Sequence, residues 1–322
     1  MDVALAPMEG LVDDIMRDIL TRIGGIDLCV TEFVRVTHTL LPEKMFRRLA
    51  PELGQGSRTR AGTLLWVQLL GADPACLADN AARAASFGAA GLDLNFGCPA
   101  PTVNRHRGGA VLLDEPELLH RIVRSVRRAL SSDVPLSAKM RLGLNDTSRA
   151  LECAAAIEAG GAASLAVHGR TKSEGYRPPA HWDWIGRVRE HVSIPVLANG
   201  DVWTLEDYRR IRAESGCDSV MIGRGLISAP DLAQRIAAWR CGQTVEPMSW
   251  QAFLPWLNEF FEQCRQRGGD TPYAAARLKQ WLGLLKRQYG EAEVLFEQIR
   301  RERDATAIAA ILLRMQACAD PI

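Results

Sequence analysis

Val3-Ala4-Leu5-Ala6-Pro7-Met8-Glu9-Gly10 decides the fold class. Four small or branched apolar residues predict a short, fully buried strand. An open doubly wound sheet would place a glycine-rich dinucleotide turn after that strand. Pro-Met-Glu-Gly follows instead, which favours a closed barrel. Further strands are predicted at Asp27–Glu32, Thr63–Leu69, Gly91–Asn95, Leu136–Leu142, Ser164–His168, Pro195–Asn199 and Ser219–Gly223. Helical periodicity lies between most of them, as at Pro74–Phe87, Pro116–Leu130, Arg149–Ala159 and Leu205–Ala213. Such alternation implies parallel strands joined by crossover helices. Eight units of this kind imply a (β/α)8 TIM barrel. An internal echo agrees: Gly88-Ala89-Ala90-Gly91, Gly160-Gly161 and Gly216-Cys217-Asp218 each precede a short apolar strand. A glycine there can end the preceding helix in the left-handed region.

After Cys241 the pattern changes. Gly242–Pro247 reads as a linker, and Trp250 to Gln316 as helices with breaks near Gly268-Gly269-Asp270 and Gly290. The expected organisation is a barrel over residues 1–242 and a small all-helical C-terminal domain over 243–322.

Composition narrows the function classes. Of 322 residues, 47% are hydrophobic and 24% charged, which excludes a disordered tail and a disulfide scaffold. Apolar runs fall far below the roughly 18 residues of a membrane span. Met1-Asp2-Val3 lacks the basic start of a secretory signal. Lysine plus arginine number 39 against 38 acids, a formal charge of +1, so a polyanionic partner must be met by a local patch. Cysteines at 29, 76, 98, 153, 217, 241, 264 and 318 include no C-x-x-C pair, so no zinc cage is expected. Their scatter fits a reducing cytoplasm, and a monomer is the default expectation.

Chemistry in a barrel gathers at the carboxyl ends of the strands. Those ends carry Glu9, Glu32, Arg35, Gln68, Asn95, Cys98, Lys139, Arg141, His168, Asn199, Asp201 and Arg224. Taken singly, each has an ordinary reading. Cys98 suits a small buried hydrophobe, His168 a satisfied core histidine, Asn199-Gly200-Asp201 a plain turn. Lys139 could reach solvent or pair with Glu9 or Asp93. So many polar groups at the ends of apolar strands are costly unless they share a ligand. Gly200 and Gly223-Arg224-Gly225, after strands seven and eight, suit a phosphate. Lys139 and Gln68 suit a flat ring that becomes anionic on reduction. Flavin mononucleotide combines both features.

These motifs resemble the tRNA-dihydrouridine synthases. The matching pieces are Ala6–Gly10, Thr31-Glu32, Val67-Gln68-Leu69, Asp93-Leu94-Asn95 with Gly97-Cys98-Pro99, Lys139–Gly143, Val167–Thr171, Ala198–Asp201 and Met221–Gly225. They occur in the family's order along the barrel. Thr31–Val36 and Ala276–Leu282 look most like the bacterial C-type branch, which acts on uridine 16 of the tRNA D-loop. The resemblance implies reduction of the uridine C5–C6 bond with FMN and NADPH, hydride going to C6 and a proton from Cys98 to C5. It implies that Pro7, Met8 and Glu9 line the flavin, that Gln68 and Lys139 contact its ring, and that Asn199, Gly200 and Asp201 hold its tail. Gly223 and Arg224 would complete the phosphate site, with His168 and Arg141 near flavin or base. Asn95 and Tyr176 would face the RNA, Arg35 would set its orientation, and Arg277, Lys279 and Arg300 would contact its phosphates.

Local charge is consistent with that reading. Arg277, Lys279, Lys286 and Arg287 fall within eleven residues that contain no acid, and Lys44, Arg47, Arg48, Arg58 and Arg60 form a second patch. The loop after Cys98 departs from the family pattern. Pro101 is expected to stiffen it, and Arg105, His106 and Arg107 to restore charge for RNA. Two other readings share some features. One is an FMN barrel acting on a free small molecule, which needs no basic tail. The other is a flavin-bearing RNA-binding protein without catalysis, which needs no Cys98 or Lys139.

Overall fold

A computed structural model describes residues 1–269 and 271–317. Asp270, in one expected break, and Cys318 lie outside the described residues. The strands are β1 (Val3–Leu5), β2 (Leu28–Val30), β3 (Val34–Arg35), β4 (Leu64–Leu70), β5 (Leu92–Phe96), β6 (Leu136–Arg141), β7 (Ser164–His168), β8 (Val196–Asn199) and β9 (Ser219–Ile222). They pair in the order β2-β1-β9-β8-β7-β6-β5-β4-β3, and a further β2–β4 pairing closes the sheet. The pairings between these strands are all parallel.

One expected strand differs. Asp27–Glu32 is not continuous: β2 and β3 both pair with β4, Leu28 opposite Leu64 and Val34 opposite Leu69. The offset changes by one residue between these points, which is the signature of a bulge. Thr31 bridges the interruption. Its N–H donates to the Trp66 carbonyl, and its hydroxyl accepts the Gln68 N–H at 3.0 Å. A side chain thus replaces a lost ladder bond, and Glu32 and Phe33 leave the sheet. With β2 and β3 counted as one interrupted strand, the sheet is a closed eight-stranded (β/α)8 barrel. The other strands match the expected limits to within one residue at each end.

The helices in chain order are α1 (Asp14–Ile23), α2 (Glu43–Leu49), α3 (Pro74–Ser86), α4 (Pro101–Arg105), α5 (Pro116–Ala129), α6 (Ala150–Ala159), α7 (Trp182–His191), α8 (Leu205–Ser215), α9 (Arg224–Ser228), α10 (Leu232–Arg240), α11 (Trp250–Gly268), α12 (Tyr273–Leu285), α13 (Gly290–Ile299) and α14 (Ala305–Ala317). The echo glycines do end helices. Gly88, Gly161 and Gly216 have φ of +91°, +98° and +66°, while Gly160 itself stays right-handed.

The chain forms two compact units. The first is Met1–Asp14 with Ile26–Gly223 and contains the barrel. Its interior is plugged by Ala4, Ala6, Leu28, Val30, Ala166, Leu197 and Met221, with Leu64 and Trp66 packed against them. Strand side chains alternate with a period of two. Gln68 on β4, His168 on β7 and Asn199 on β8 therefore point inward too, one step nearer the carboxyl mouth. Gly223, just past β9, has the same parity. The plug and the polar layer above it are successive layers of one alternation.

The second unit is Ile15–Gly25 with Arg224–Ile322. Trp281 is its centre, fully buried, with its ring edge-on to Phe253 and Phe260 at 5.4 and 4.6 Å. Its indole N–H donates to the Ile227 carbonyl at 2.9 Å, which satisfies the one polar atom of the side chain. The expected break near Gly290 is present: α12 ends at Leu285, and α13 starts at Gly290, directly after Tyr289. Residues 300–304 form a further break, before α14, that the periodicity did not reveal.

Candidate active site

Two hydrogen-bonded chains organise the polar layer. In the first, the Asp93 carboxylate accepts from Ser137 Oγ at 2.5 Å and from Gln68 Nε2 at 2.7 Å. Because a carboxylate only accepts, it fixes the orientation of the Gln68 amide. Gln68 Oε1 then accepts from Asn95 Nδ2 at 2.8 Å, and Asn95 Oδ1 accepts the Gly97 N–H at 3.0 Å. Burial pushes the Asp93 carboxyl up, against its two hydrogen bonds and Lys139.

In the second chain, Lys139 Nζ donates to Asn199 Oδ1 at 3.1 Å, and Asn199 Nδ2 donates to the Met221 carbonyl at 2.7 Å. Lys139 therefore pairs with neither Glu9 nor Asp93 by hydrogen bond. Burial, and next the Arg141 charge, push the ammonium down to about 8, with Asp93 opposing.

The rim beyond this layer is built on buried guanidiniums. Arg141 donates to the carbonyls of Gly97 at 2.9 Å, Thr171 at 3.1 Å and Gly175 at 2.9 Å, tying the loop after β5 to the loop after β7. Its guanidinium lies 5.2 Å from the centre of the Tyr176 ring. That ring is 55% exposed and 6.0 Å from His168, a large aromatic left open at the mouth. Arg170, fully buried, binds the Arg177 carbonyl at 2.6 Å and the Asp201 carboxylate. Asp201 also accepts the Ala180 N–H at 3.1 Å. The Trp182 indole donates to the Gly200 carbonyl at 2.8 Å. Gly200 has φ +132°, and a Cβ there would come within 2.9 Å of Ala180 Cβ and 3.1 Å of His168 Cδ2. A Cβ on Gly223 would come within 3.2 Å of Met8 Sδ. Pro7 and Met8 are half-buried beneath the exposed turn of Glu9 and Gly10. Desolvation and then the Glu32 carboxylate push the Glu9 carboxyl up, with Arg48 opposing.

Cys98 lies two residues past β5, at the same mouth, and is 9% exposed. Leu70 and Val103 pack with it. Its carbonyl accepts from Ala110 N at 3.0 Å and from Asn104 Nδ2 at 2.8 Å. Burial pushes the thiol up, and Glu9 adds to this, while an Ala100 backbone hydrogen bond, Arg141 and Arg35 oppose it. Pro101 does not simply stiffen the loop. It occupies the start of α4, where its missing N–H costs nothing. Phe96 is buried and packs.

The remaining expected residues are scattered over both units. Arg35 ends β3, exposed. Arg224 opens α9, next in the chain after Gly223. In the second unit, Arg277 is only 7% exposed; its guanidinium lies over Phe260 and bonds Gln280. Lys279 donates to the Glu302 carbonyl. Arg300 pairs with Glu297 at 2.8 Å, and Lys286 with Glu293 at 3.1 Å. The run without acids in sequence thus acquires acidic neighbours in space. Sequence reasoning gave no role to Arg170, Asn104 or Trp182. Arg170 stood inside a quoted motif; nothing local marked Trp182.

The sequence model of the family dihydrouridine synthase (Dus) matches residues 4–313. The chain is 59% identical over 312 residues to a tRNA-dihydrouridine(16) synthase of Aquipseudomonas alcaligenes, covering 97% of this chain and 99% of that one. It is 52% identical over 314 residues to the tRNA-dihydrouridine(16) synthase of Neisseria meningitidis serogroup B, covering 98% and 94%. Among solved structures, histamine dehydrogenase from Rhizobium sp. 4-9 superposes with a TM-score of 0.56 at 14% identity, over 81% of this chain and 48% of that one. A 2-naphthoyl-CoA reductase complex gives 0.55 at 13% identity, over 75% and 50%. At those identities the likeness is of fold alone. The family match over nearly the whole chain is decisive: this protein belongs to the dihydrouridine synthase family.

Proposed function

We propose that the protein reduces the C5–C6 double bond of uridine 16 in the tRNA D-loop, using FMN as cofactor and NADPH as reductant. Its relatives bear the name of that reaction. The residues at the mouth fit a flavin. Lys139 spends one of its three ammonium N–H groups on Asn199, which leaves two for an anionic ring edge. Gln68, oriented by Asp93, keeps one amide N–H for the same ring. Gly200 and Gly223 leave bare backbone beside Ala180, His168 and Met8, which a phosphate or ribityl chain can reach. Pro7, Met8 and Glu9 line the ring, His168 stands beside it, Asn199 and Asp201 hold the tail, and Gly223 with Arg224 takes the phosphate. Reduced FMN, when bound, supplies a hydride to uridine C6.

The chain's own residues do the rest. Tyr176 offers an exposed ring on which a base leaving its stack can lie, and Arg141 holds that ring from behind. Asn95, fixed by Gln68 and Gly97, presents its second amide N–H to the base. Cys98 donates a proton to C5. A thiol pushed up by burial stays protonated at neutral pH, which suits a general acid. The observation that carries this reading is the placement, at one carboxyl mouth, of a buried thiol pushed up and a half-buried lysine pushed down.

For RNA we assign Arg35 in the first unit and Arg277, Lys279 and Arg300 in the second. Arg300 is exposed, and its surface pair with Glu297 is of a weak kind that a phosphate can displace. Arg277 and Lys279 would first have to give up their present partners. We further assign residues 1–242 to catalysis and 243–322 to tRNA binding, and place the protein in the cytoplasm as a monomer. Among the described residues no helix is long and apolar enough to cross a membrane.

The test is to map dihydrouridine in tRNA from cells that lack the protein and then restore it as wild type or as Cys98→Ala. Position 16 should lose its modification, and only the wild type should restore it fully. Full restoration by Cys98→Ala would remove Cys98 from the mechanism; loss at another position would overturn the substrate assignment.

A further inference from the structure

A cavity of about 560 Å³ opens beside the Cys98 loop, in the first unit. It is separate from the polar layer: its apolar lining includes Leu70, Val103 and Leu118, and Leu70 and Val103 also pack against Cys98. Its size falls within the roughly 300–1,000 Å³ typical of small-molecule sites. Arg35, Arg105 and Arg121 line it together. They come from β3, α4 and α5, so the fold gathers them from positions up to 86 apart in the chain. The two carboxylates of the lining are committed elsewhere. Asp73 caps α3 by accepting the Cys76 N–H at 2.7 Å, and Glu115 is held by both of its oxygens on Arg107, at 2.7 and 2.9 Å. Arg107 thus neutralises Glu115, and three guanidiniums face one concave, partly apolar space against the single charge of Asp73. Three guanidinium charges against the one carboxylate charge of Asp73 leave the space net positive, so the arrangement suits an anionic ligand.

We propose that this cavity binds the 2′-phosphorylated adenosine half of NADPH. The inference rests on the proposed NADPH-driven reaction and names where the chain recognises its reductant. Arg35 is assigned to RNA above, so Arg105 and Arg121 carry the phosphate here, and three features favour a dinucleotide over an RNA strand for them. The space is a pocket with an apolar wall that suits a purine, whereas RNA backbone needs only an open charged surface. The density of guanidiniums matches a phosphate monoester, which carries nearly two charges where a phosphodiester carries one. Arginine is also the residue that accepts a 2′-phosphate in dinucleotide sites of other folds, through its planar set of donors. The position beside Cys98 keeps the other half of the molecule within the barrel mouth.

Calorimetric titration with adenosine 2′,5′-bisphosphate tests the site on flavin-loaded protein: wild type, Arg105→Ala, Arg121→Ala and the double variant. Both arginine side chains are exposed and make no hydrogen bond or ion pair among the described residues, so circular dichroism should show the fold intact. The wild type should bind the probe, and each substitution should weaken binding about tenfold or more, as expected for loss of a charge-assisted hydrogen bond. Rapid-mixing measurement of flavin bleaching, without tRNA, supplies an independent readout. The concentration of NADPH needed for half-maximal rate should rise by the same factor, the limiting rate should hold, and the NADH value should hardly move. Unchanged NADPH dependence in the double variant, or absence of probe binding to wild type, would overturn the site. So would a selective loss of tRNA affinity, which would return Arg105 and Arg121 to RNA. Protein that takes up no FMN, or FMN that no nicotinamide bleaches, would instead refute the proposed function itself.

Discussion

Lys139→Met should stabilise the flavin-free protein at pH 7. The ammonium sits in the barrel mouth with its pKa pushed from the ordinary 10.5 to about 8, mainly by burial. That gap corresponds to about 3 kcal/mol by which the folded state disfavours the charged form. Methionine has a similar length, no charge and flexible packing. The substitution also removes the donor to Asn199 Oδ1, at a cost of about 1 kcal/mol. The net expectation is a gain of about 2 kcal/mol at pH 7. The pH dependence follows from the sign of the shift. Below about pH 8 the lysine is protonated in both folded and unfolded chains, so the penalty is fully present. Between about 8 and 10.5 the folded chain loses its proton first and the wild type recovers; above 10.5 the penalty is gone. Urea unfolding of flavin-free wild type and variant at pH 7, 9 and 11 measures this, with stability read from the midpoint at unchanged slope. A variant less stable than wild type at pH 7, or a gap that does not close as pH rises, would refute the reasoning. The same variant should bind FMN weakly and fail to form dihydrouridine, so a gain in stability accompanies a loss of function.

Other tests probe the neighbouring groups. Gly109→Ala should destabilise the chain by more than about 1 kcal/mol and depress kcat, because its φ is +69° and a new Cβ would meet the Cys98 carbonyl at 2.7 Å; thermal unfolding and turnover measure the two effects. At pH 8, iodoacetamide should label Cys98 more slowly than the exposed Cys241, because burial keeps the Cys98 thiol protonated; peptide mass spectrometry reads the order, and faster labelling of Cys98 would contradict the raised pKa. Arg300→Ala should reduce the slope of log affinity for tRNA against log salt by about one and leave FMN binding unchanged; an unchanged slope would remove Arg300 from the RNA surface.

Much of the barrel was legible because its signals are local. A run of four to seven apolar residues bounded by glycine or proline is a buried strand wherever it lies. The period of two alone carries Gln68, His168 and Asn199 to the inward face once Leu64, Ala166 and Leu197 are known to be inside. The motifs quoted from the strand ends therefore fell at one mouth without any knowledge of pairing. Gly290 marked the boundary between α12 and α13, though glycine does not say which side of it continues as helix. Thr31-Glu32 was read as strand because nothing local announces that a threonine hydroxyl will replace a ladder bond to Gln68, 37 residues away.

What the sequence by itself determined was therefore the succession of elements, the parity of each strand and the set of polar residues at its end. Tertiary structure alone decided their partners. Lys139 took Asn199 rather than Asp93, each of whose carboxylate oxygens already accepts one hydrogen bond, from Ser137 and from Gln68. Arg277 turned onto Phe260 because it falls on the buried face of α12, though its neighbours in sequence suggested a charged surface. Arg35, Arg105 and Arg121 came to line one cavity only when β3, α4 and α5 were brought together. Periodicity is a property of a few consecutive residues. The choice of a hydrogen-bonding partner is a competition through space among groups tens of residues apart, and only the folded chain sets its terms.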